Sequence, residues 1–171
     1  DANGNHPYDN RIIIGLEFDP ASTPETPTLW ISHNEFTFSS GKHFTGEIGT
    51  LTPDGNGNWV RQDQIIGLPR SIRDHLSNSL EFGPDGALYI TQGSISAMGA
   101  RDNAWGQEPE TLLSAAVLRI DIDALAQLGQ QNALPLDVTT GVPSNNGSDL
   151  LDADNYGLGD PNLANFYDPQ A

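Results

Sequence analysis

An aspartate and a histidine that stand next to each other, Asp74 and His75, are the residues best suited to chemistry. A histidine side chain has an ordinary pKa of about 6.5, so it can accept a proton close to neutral pH, as a general base must. A carboxylate beside it can orient the imidazole ring through a hydrogen bond. The pair therefore indicates proton transfer; the alternative is a structural histidine that connects a loop to backbone carbonyl groups.

Acidic side chains near the end of the chain could serve as ligands for a metal ion. Asp152, Asp154 and Asp160 belong to a loop-like stretch with alternating oxygen donors, which are the ligands that Ca²⁺ prefers. The stretch departs from the helix-loop-helix calcium motif, because Tyr156 takes a ligand position and no glutamate closes the loop. Residues 1–9 are similar and equally incomplete. Each stretch is interpreted either as a calcium site or as an ordinary acidic loop.

Two further histidines, His33 and His43, flank a stretch rich in aromatic and hydroxyl residues at 35–41. A metal site built from two histidines is usually recognised by close ligand spacing, and this segment has none. We therefore expect both histidines in solvent-facing loops.

The composition restricts the classes of partner. The chain has 171 residues, with 23 acidic against 7 basic ones and a net charge of -16. Such a surface repels nucleic acids and is not attracted to anionic lipid, whereas it suits solubility or calcium binding. Cysteine is absent, which excludes disulfides, thiolate catalysis and cysteine-based zinc sites. No apolar run approaches the roughly 20 residues that span a bilayer, so membrane insertion is not expected.

The elements that must position these side chains are predicted to be β-strands. An apolar strand, a turn and a strand with an aromatic residue occur at 12–32 and again at 79–91, and 64 residues separate Phe18 from Phe82. Alternation of apolar and polar residues, as at 116–122, is typical of a strand with one buried face. The predicted strands are 12–18, 28–33, 46–52, 59–65, 79–83, 87–92, 116–122 and 135–139.

Little else is expected to interrupt the strands. Trp30, Trp59 and Tyr89 fall within them and are predicted to be core residues. A weak helical pattern at 124–128 predicts at most a short helical turn.

Four strands in a unit that recurs after tens of residues are typical of a β-propeller blade. The chain is thus predicted to be an all-β, partial β-propeller domain over residues 1–171, with about two to three blades of four-stranded antiparallel sheet. The first blade is placed at about 11–69 and the second at about 74–140. Residues 141–171 are predicted to be a long loop that leads to a next blade, and the remaining blades are expected downstream.

Several segments resemble the soluble quinoprotein glucose/sorbosone dehydrogenase family, whose members are six-bladed propellers. The similarity is carried by residues 68–78, which contain the Asp-His pair, and by the Phe-Gly-Pro-Asp-Gly stretch that opens 82–90. It continues through Gly93, Trp105 and residues 112–121. The Phe-Gly-Pro-Asp-Gly stretch is common among propellers, whereas the Asp-His pair ahead of it is more specific.

The resemblance implies a chemistry and a set of site residues. His75 would be the general base that takes the hydroxyl proton as hydride leaves the sugar for pyrroloquinoline quinone (PQQ), with Asp74 beside it and Ca²⁺ as a second cofactor. Asn78, Ser94 and Trp105 would lie near the substrate. The enzymes usually have an acidic residue directly after the glycine at position 93, and here Ser94 follows it. Most of their quinone and calcium ligands belong to later blades.

Two functions remain open from the sequence. The first is a secreted dehydrogenase, extracellular or periplasmic, that oxidises a sugar or related alcohol with quinone and calcium. The second is a non-catalytic propeller module that binds carbohydrate or protein within a larger secreted protein. The Asp74–His75 pair favours the enzyme, and Ser94 favours the module.

Overall fold

Two sheets pack against each other in the computed structural model, which describes residues 11–37, 40–96 and 103–141. The first sheet begins with a four-stranded antiparallel meander, β1 (Arg11–Phe18), β2 (Leu29–Glu35), β3 (Gly46–Pro53) and β4 (Trp59–Leu68). The second is a three-stranded antiparallel meander, β5 (Ser77–Phe82), β6 (Leu88–Gln92) and β7 (Ala116–Ile120). A helix, α1 (Ile122–Gln130), and a short strand, β8 (Leu136–Asp137), follow.

The predicted all-β class is confirmed. Strands account for 42% of the described residues, and α1 is the one α-helix among them. Each predicted strand has a counterpart whose ends differ by three residues at most. The helical turn predicted at 124–128 is a longer helix, because the Asp121 carboxylate caps its first turn by accepting a hydrogen bond from the Ala124 N–H at 3.0 Å.

The prediction of about two to three blades with four antiparallel strands each is wrong in its strand count, since one sheet has five strands and the other has three. Strand β8 does not join β7; it extends the first sheet as a fifth strand, parallel to β4, with Leu136 beside Ile65. The reason is α1, which carries the chain from the end of β7 back to the free edge of β4. Parallel neighbours need a long connection of this kind, whereas a tight hairpin produces antiparallel ones.

The core lies between the two sheets. Strands β2, β3 and β4 contribute to it Trp30, Ile48 and Ile65, which pack against residues of the second sheet. The Trp30 and Phe82 rings meet edge to face with centroids 6.2 Å apart. Trp30 is thus a core residue as predicted. The same prediction is wrong for Trp59, which is 48% exposed at the start of β4, next to the turn that connects it to β3. The second-sheet residues of this core are Leu80, Leu88, Ile90 and Ile120.

The face of β1 that points away from the second sheet is apolar and exposed. Leu16 and Phe18 are 57% and 58% exposed, and Ile13 on the same face is 48% exposed. Gly15 and Glu17 alternate with Leu16 and Phe18 and face the second sheet, as the pairing of Glu17 with Trp30 shows. Apolar residues in such a row are typical of a sheet face that another layer covers.

The described parts of three connections meet at one end of the sheets, namely 36–37 with 40–45, then 69–76, and last 93–96 with 103–115. Arg70 connects the first two of them from a fully buried position. Its guanidinium donates hydrogen bonds to the carbonyls of Glu35, of Thr37 at 2.5 Å and of Arg73 at 2.6 Å. Burial lowers the pKa of this guanidinium from its ordinary value. The candidate site lies at this end.

Within the described part of the chain, no helix has the length and apolar character required to cross a membrane. Residues 142–171, predicted to be a long loop, lie outside the described residues, as do residues 1–10.

Candidate functional site

His75 lies in the turn that leads into β5. The turn is closed by hydrogen bonds in both directions, since the His75 N–H donates to Ser71 Oγ at 3.0 Å and the Ser71 N–H donates to the His75 carbonyl at 2.9 Å. Leu76, the next residue, is 2% exposed and anchors the turn in the interior. The imidazole itself is half-buried, so it is both held in place and accessible.

Ser94 contacts the His75 ring. Ser94 Oγ lies 2.7 Å from His75 Nδ1 and 3.0 Å from the Ser96 carbonyl oxygen. The two residues meet because β5 and β6 form a hairpin whose open end they flank, and the Gly93 N–H donates to the Leu76 carbonyl at 3.0 Å. Ser94 thus reaches the histidine from the end of the neighbouring strand.

The two contacts of Ser94 define the tautomer of His75. A hydroxyl has one proton to donate, and a carbonyl oxygen can only accept. Both contacts are hydrogen bonds together only when Ser94 donates to the Ser96 carbonyl and accepts from His75 Nδ1–H. The remaining ring nitrogen, Nε2, then carries a lone pair, and among the described residues it has no hydrogen-bond partner. A lone pair at Nε2 is what a general base requires.

Trp105 covers one face of the imidazole. The two rings are stacked, with centroids 4.2 Å apart and planes at 30°. The indole belongs to a short 3₁₀ turn, Asn103–Trp105, which Arg73 supports by donating from Nε to the Ala104 carbonyl at 2.5 Å. The Arg73 guanidinium carbon lies 5.7 Å from the indole centroid, within the range of a cation–π contact.

The structure thus brings together three of the predicted site residues, His75, Ser94 and Trp105. Asp74 is exposed and makes no hydrogen bond or ion pair with the other described residues, so the contact expected from its carboxylate comes from the Ser94 hydroxyl. Asn78 does not contact the imidazole; its amide donates to the Leu76 carbonyl at 2.9 Å. The predicted calcium ligands Asp152, Asp154 and Asp160 lie outside the described residues.

A buried carboxylate behind Ser94 could not be recognised from the sequence. Glu110 is 1% exposed and accepts hydrogen bonds from the N–H groups of Ile95 at 3.1 Å and Ser96 at 3.0 Å. The Ser96 hydroxyl also donates to it, and the Ser114 hydroxyl lies between it and the Thr111 carbonyl, 2.8 Å away. Three donors and this shared hydroxyl surround the carboxylate, in keeping with the rule that buried polar groups are hydrogen-bonded. In the sequence, Glu110 is one of several acidic residues in a loop.

A second polar cluster crosses the outer face of the first sheet, and it corrects the expectation for His33. This histidine lies in β2 and is 1% exposed, so the prediction of a solvent-facing loop is wrong. Glu47 is its cross-strand partner, with Oε2 3.7 Å from Nδ1, and Asp63 Oδ1 lies 3.8 Å from Nε2. Arg11 Nε donates to His33 Nδ1 at 2.9 Å. His43, by contrast, is in a loop and half-buried, near Glu108.

Burial shifts the pKa values of His33 and Glu47 in opposite directions. Burial, reinforced by Arg11 and Arg61, lowers the pKa of His33 to about 3. Burial raises the pKa of Glu47 from its ordinary value, and Arg11, 3.2 Å from Glu47 Oε2, opposes that rise. His33 is therefore neutral at physiological pH.

The donor atoms of His33, Glu47 and Asp63 lie within 4.8 Å of one another, close enough to bind a metal ion together. The surrounding hydrogen bonds oppose this use. The bond from Arg11 requires a lone pair on His33 Nδ1, which places the proton on Nε2, the nitrogen that faces Asp63. Arg11 and Arg61 already neutralise the two carboxylates. A divalent cation would have to displace both a proton and an arginine, so the donor set fits a metal poorly.

Comparison with known proteins gives no further guidance: no protein-family profile matches the chain, and no curated protein is significantly similar to it.

Proposed function

We propose that this chain contributes two neighbouring blades to a secreted, six-bladed propeller dehydrogenase of the quinoprotein glucose/sorbosone type. Its substrate is a sugar or a related alcohol, and His75 is the general base. The observation that carries the proposal is the arrangement of Ser94 and Trp105 around His75, which leaves Nε2 as a proton acceptor at an accessible end of the sheets.

The packing of the two meanders supports the propeller. Their first strands lie side by side, as in neighbouring blades: Ser32 Oγ donates to the Asn78 carbonyl, and a Cβ on Gly15 would lie 2.5 Å from the same oxygen. The exposed apolar residues of β1, Leu16 and Phe18, form a face that a further blade would cover. Loops at one end of a propeller surround its central channel, where ligands commonly bind, and His75 lies in such a loop.

The chemistry required of His75 follows from its tautomer. Nε2 accepts the hydroxyl proton of the substrate while the carbon–hydrogen bond breaks and a carbonyl forms. PQQ, when bound, would supply the hydride acceptor. The resulting imidazolium keeps its Nδ1–H bond to Ser94, and the Trp105 stack prevents the ring from rotating away. General-base catalysis of this kind contributes roughly 10²–10⁴-fold to the rate.

The described residues fit only part of a PQQ site. The quinone carries several carboxylates and requires cationic partners. Arg73 is exposed beside Trp105 and can provide one, whereas Arg70 is occupied by backbone carbonyls. Further cations must come from other blades, in line with the resemblance to the enzymes.

One observation favours the alternative, a non-catalytic module that binds carbohydrate. A serine hydroxyl orients an imidazole but does not neutralise its charged form, as the carboxylate of the related enzymes would. In such a module the Trp105 ring would serve as a sugar-binding surface.

Turnover of a sugar panel by the full-length protein, reconstituted with PQQ and calcium and assayed with an artificial electron acceptor, tests the proposal. We expect His75→Gln to lower kcat by about 10²–10⁴-fold, and Ser94→Asp to retain or increase it because a carboxylate stabilises the imidazolium. His43→Gln, a change in a neighbouring loop, is the control. Equal rates for His75→Gln and the wild type would remove His75 from the mechanism. Sugar binding without turnover in any variant would identify the module instead.

We also propose that calcium binds the full-length domain, because 23 acidic residues repel one another and a bound cation relieves that repulsion. A ligand that binds only the folded state stabilises that state by mass action. The melting temperature is expected to be higher in millimolar calcium than in chelator, with magnesium as the control. Identical melting temperatures would contradict this part of the proposal.

A further inference from the structure

We propose that Glu110 is a positioning residue, which acts through the turn at 94–96 to hold His75 in the tautomer with the proton on Nδ1. The importance of that tautomer for catalysis rests on the proposed function, whereas the tautomer itself does not.

The first step is the contact between Glu110 and the backbone of the turn. An ionised carboxylate only accepts hydrogen bonds, so each of its partners must donate. The N–H groups of Ile95 and Ser96 both point at it, at 3.1 and 3.0 Å, and the Ser96 hydroxyl adds a third bond. These three bonds fix the orientation of the peptide groups that follow Ser94.

The second step is the anchoring of Glu110 itself. The Ser114 hydroxyl contacts the carboxylate from the other side of the loop, and the Ala115 N–H donates to the Gly93 carbonyl at 3.0 Å. The start and the end of the loop between β6 and β7 are therefore connected twice, by Glu110 and by this backbone bond. Because its side chain is 1% exposed, any displacement would remove hydrogen bonds from a buried charge, which is costly.

The third step leads to the histidine. With the turn fixed, the Ser96 carbonyl lies 3.0 Å from Ser94 Oγ and receives its proton, so the hydroxyl presents a lone pair to His75 Nδ1 at 2.7 Å. Without Glu110 the turn can relax, and Ser94 is free to donate to Nδ1 instead. Nε2 would then carry the proton and could not act as a base.

Nitrogen-15 NMR of the chain with labelled histidine tests the inference, because the coupling pattern of the imidazole nitrogens distinguishes the two tautomers. At a pH of about 8, where an unperturbed histidine is neutral, the wild type is expected to show His75 with the proton on Nδ1. Glu110→Gln places an amide donor against groups that also donate, so we expect a mixture of both tautomers. Ser96→Ala removes one bond to Glu110, and we expect a smaller shift in the same direction.

The control is Gln64→Ala, which removes another buried hydrogen bond, in β4, and should leave the His75 tautomer unchanged. Circular dichroism identifies a variant that does not fold; if Glu110→Gln fails in this way, Ser96→Ala decides. A wild-type His75 with the proton on Nε2, or folded variants with an unchanged tautomer, would overturn the inference. The test needs no turnover: a tautomer shift in a protein without dehydrogenase activity would uphold the role of Glu110 and reject the enzyme.

Discussion

The burial of His33 between two arginines determines how it contributes to stability as the pH changes. Its pKa is about 3 in the folded chain, against an ordinary value of 6.5. Between these values the unfolded chain binds a proton that the folded chain does not. The free energy of unfolding therefore falls as the pH is lowered through this window, by at most about 1.4 kcal/mol per pH unit from this residue.

We expect the variant His33→Gln to lose less stability between pH 7 and pH 5 than the wild type. Its amide oxygen can still accept from Arg11 Nε, and it has no proton to gain. The raised pKa of Glu47 contributes with the opposite sign, because stability gained from its protonation is lost as the pH rises through the folded pKa. Urea unfolding at both pH values measures the difference, with His43→Gln as control. Parallel pH profiles for His33→Gln and the wild type would contradict the assignment.

Residue-level prediction from the sequence succeeded where neighbouring strands determine the contact. His75 and Ser94 are 19 residues apart, but they flank the open end of the hairpin formed by β5 and β6, so they meet once that hairpin is recognised. The burial of His33 was missed, although the predicted strand 28–33 ends at this residue, because its neighbours at 32–35 are polar. Its charged neighbours Arg11, Glu47 and Asp63 belong to three other strands, so no local pattern reveals the cluster.

At the scale of elements, the site depends on how closely the end of β6 approaches the turn before β5. Gly93 permits this approach: a Cβ there would lie 2.9 Å from the Leu76 nitrogen and 3.0 Å from the carbonyl carbon and Cβ of His75. We expect Gly93→Ala to lower the free energy of unfolding by about 1–3 kcal/mol, the usual cost of overpacking. The same variant should also change the NMR signals of the His75 ring.

The matched control is Gly141→Ala, since no atom of the described residues lies within 4 Å of a Cβ at that position. Its expected effect on urea unfolding is within about 0.5 kcal/mol, as for most exposed sites. Equal stability of the two variants would show that the approach of β6 to His75 is not as tight as described.

The order of the strands could be predicted only where hairpins connect them. The first meander and the second each follow chain order, as short turns require. The place of β8 could not be derived from its sequence, because a strand of two residues carries no periodicity. It is set by the length and packing of α1, whose Leu125 is 4% exposed against the core.

At the scale of the whole molecule, the exposed face of β1 provides a test of the propeller. In the full-length protein a further sheet is expected to cover Leu16. Since the chain has no cysteine, a Leu16→Cys variant carries a single thiol within it. We expect this thiol to react with a maleimide much more slowly than that of Asn56→Cys, which lies in an exposed turn. Equally fast labelling of both in the full-length protein would mean that no blade covers β1.

Arg70 has a consequence for how sequences of this kind can diverge. Its guanidinium binds carbonyl groups at Glu35, Thr37 and Arg73, and a carbonyl is the same whatever side chain its residue carries. The segments that follow β2 and precede β5 can therefore exchange their side chains, and with them the preference for one ligand over another, without losing their attachment to the scaffold. Selection could reshape the specificity of this end of the molecule while a single arginine preserves its architecture.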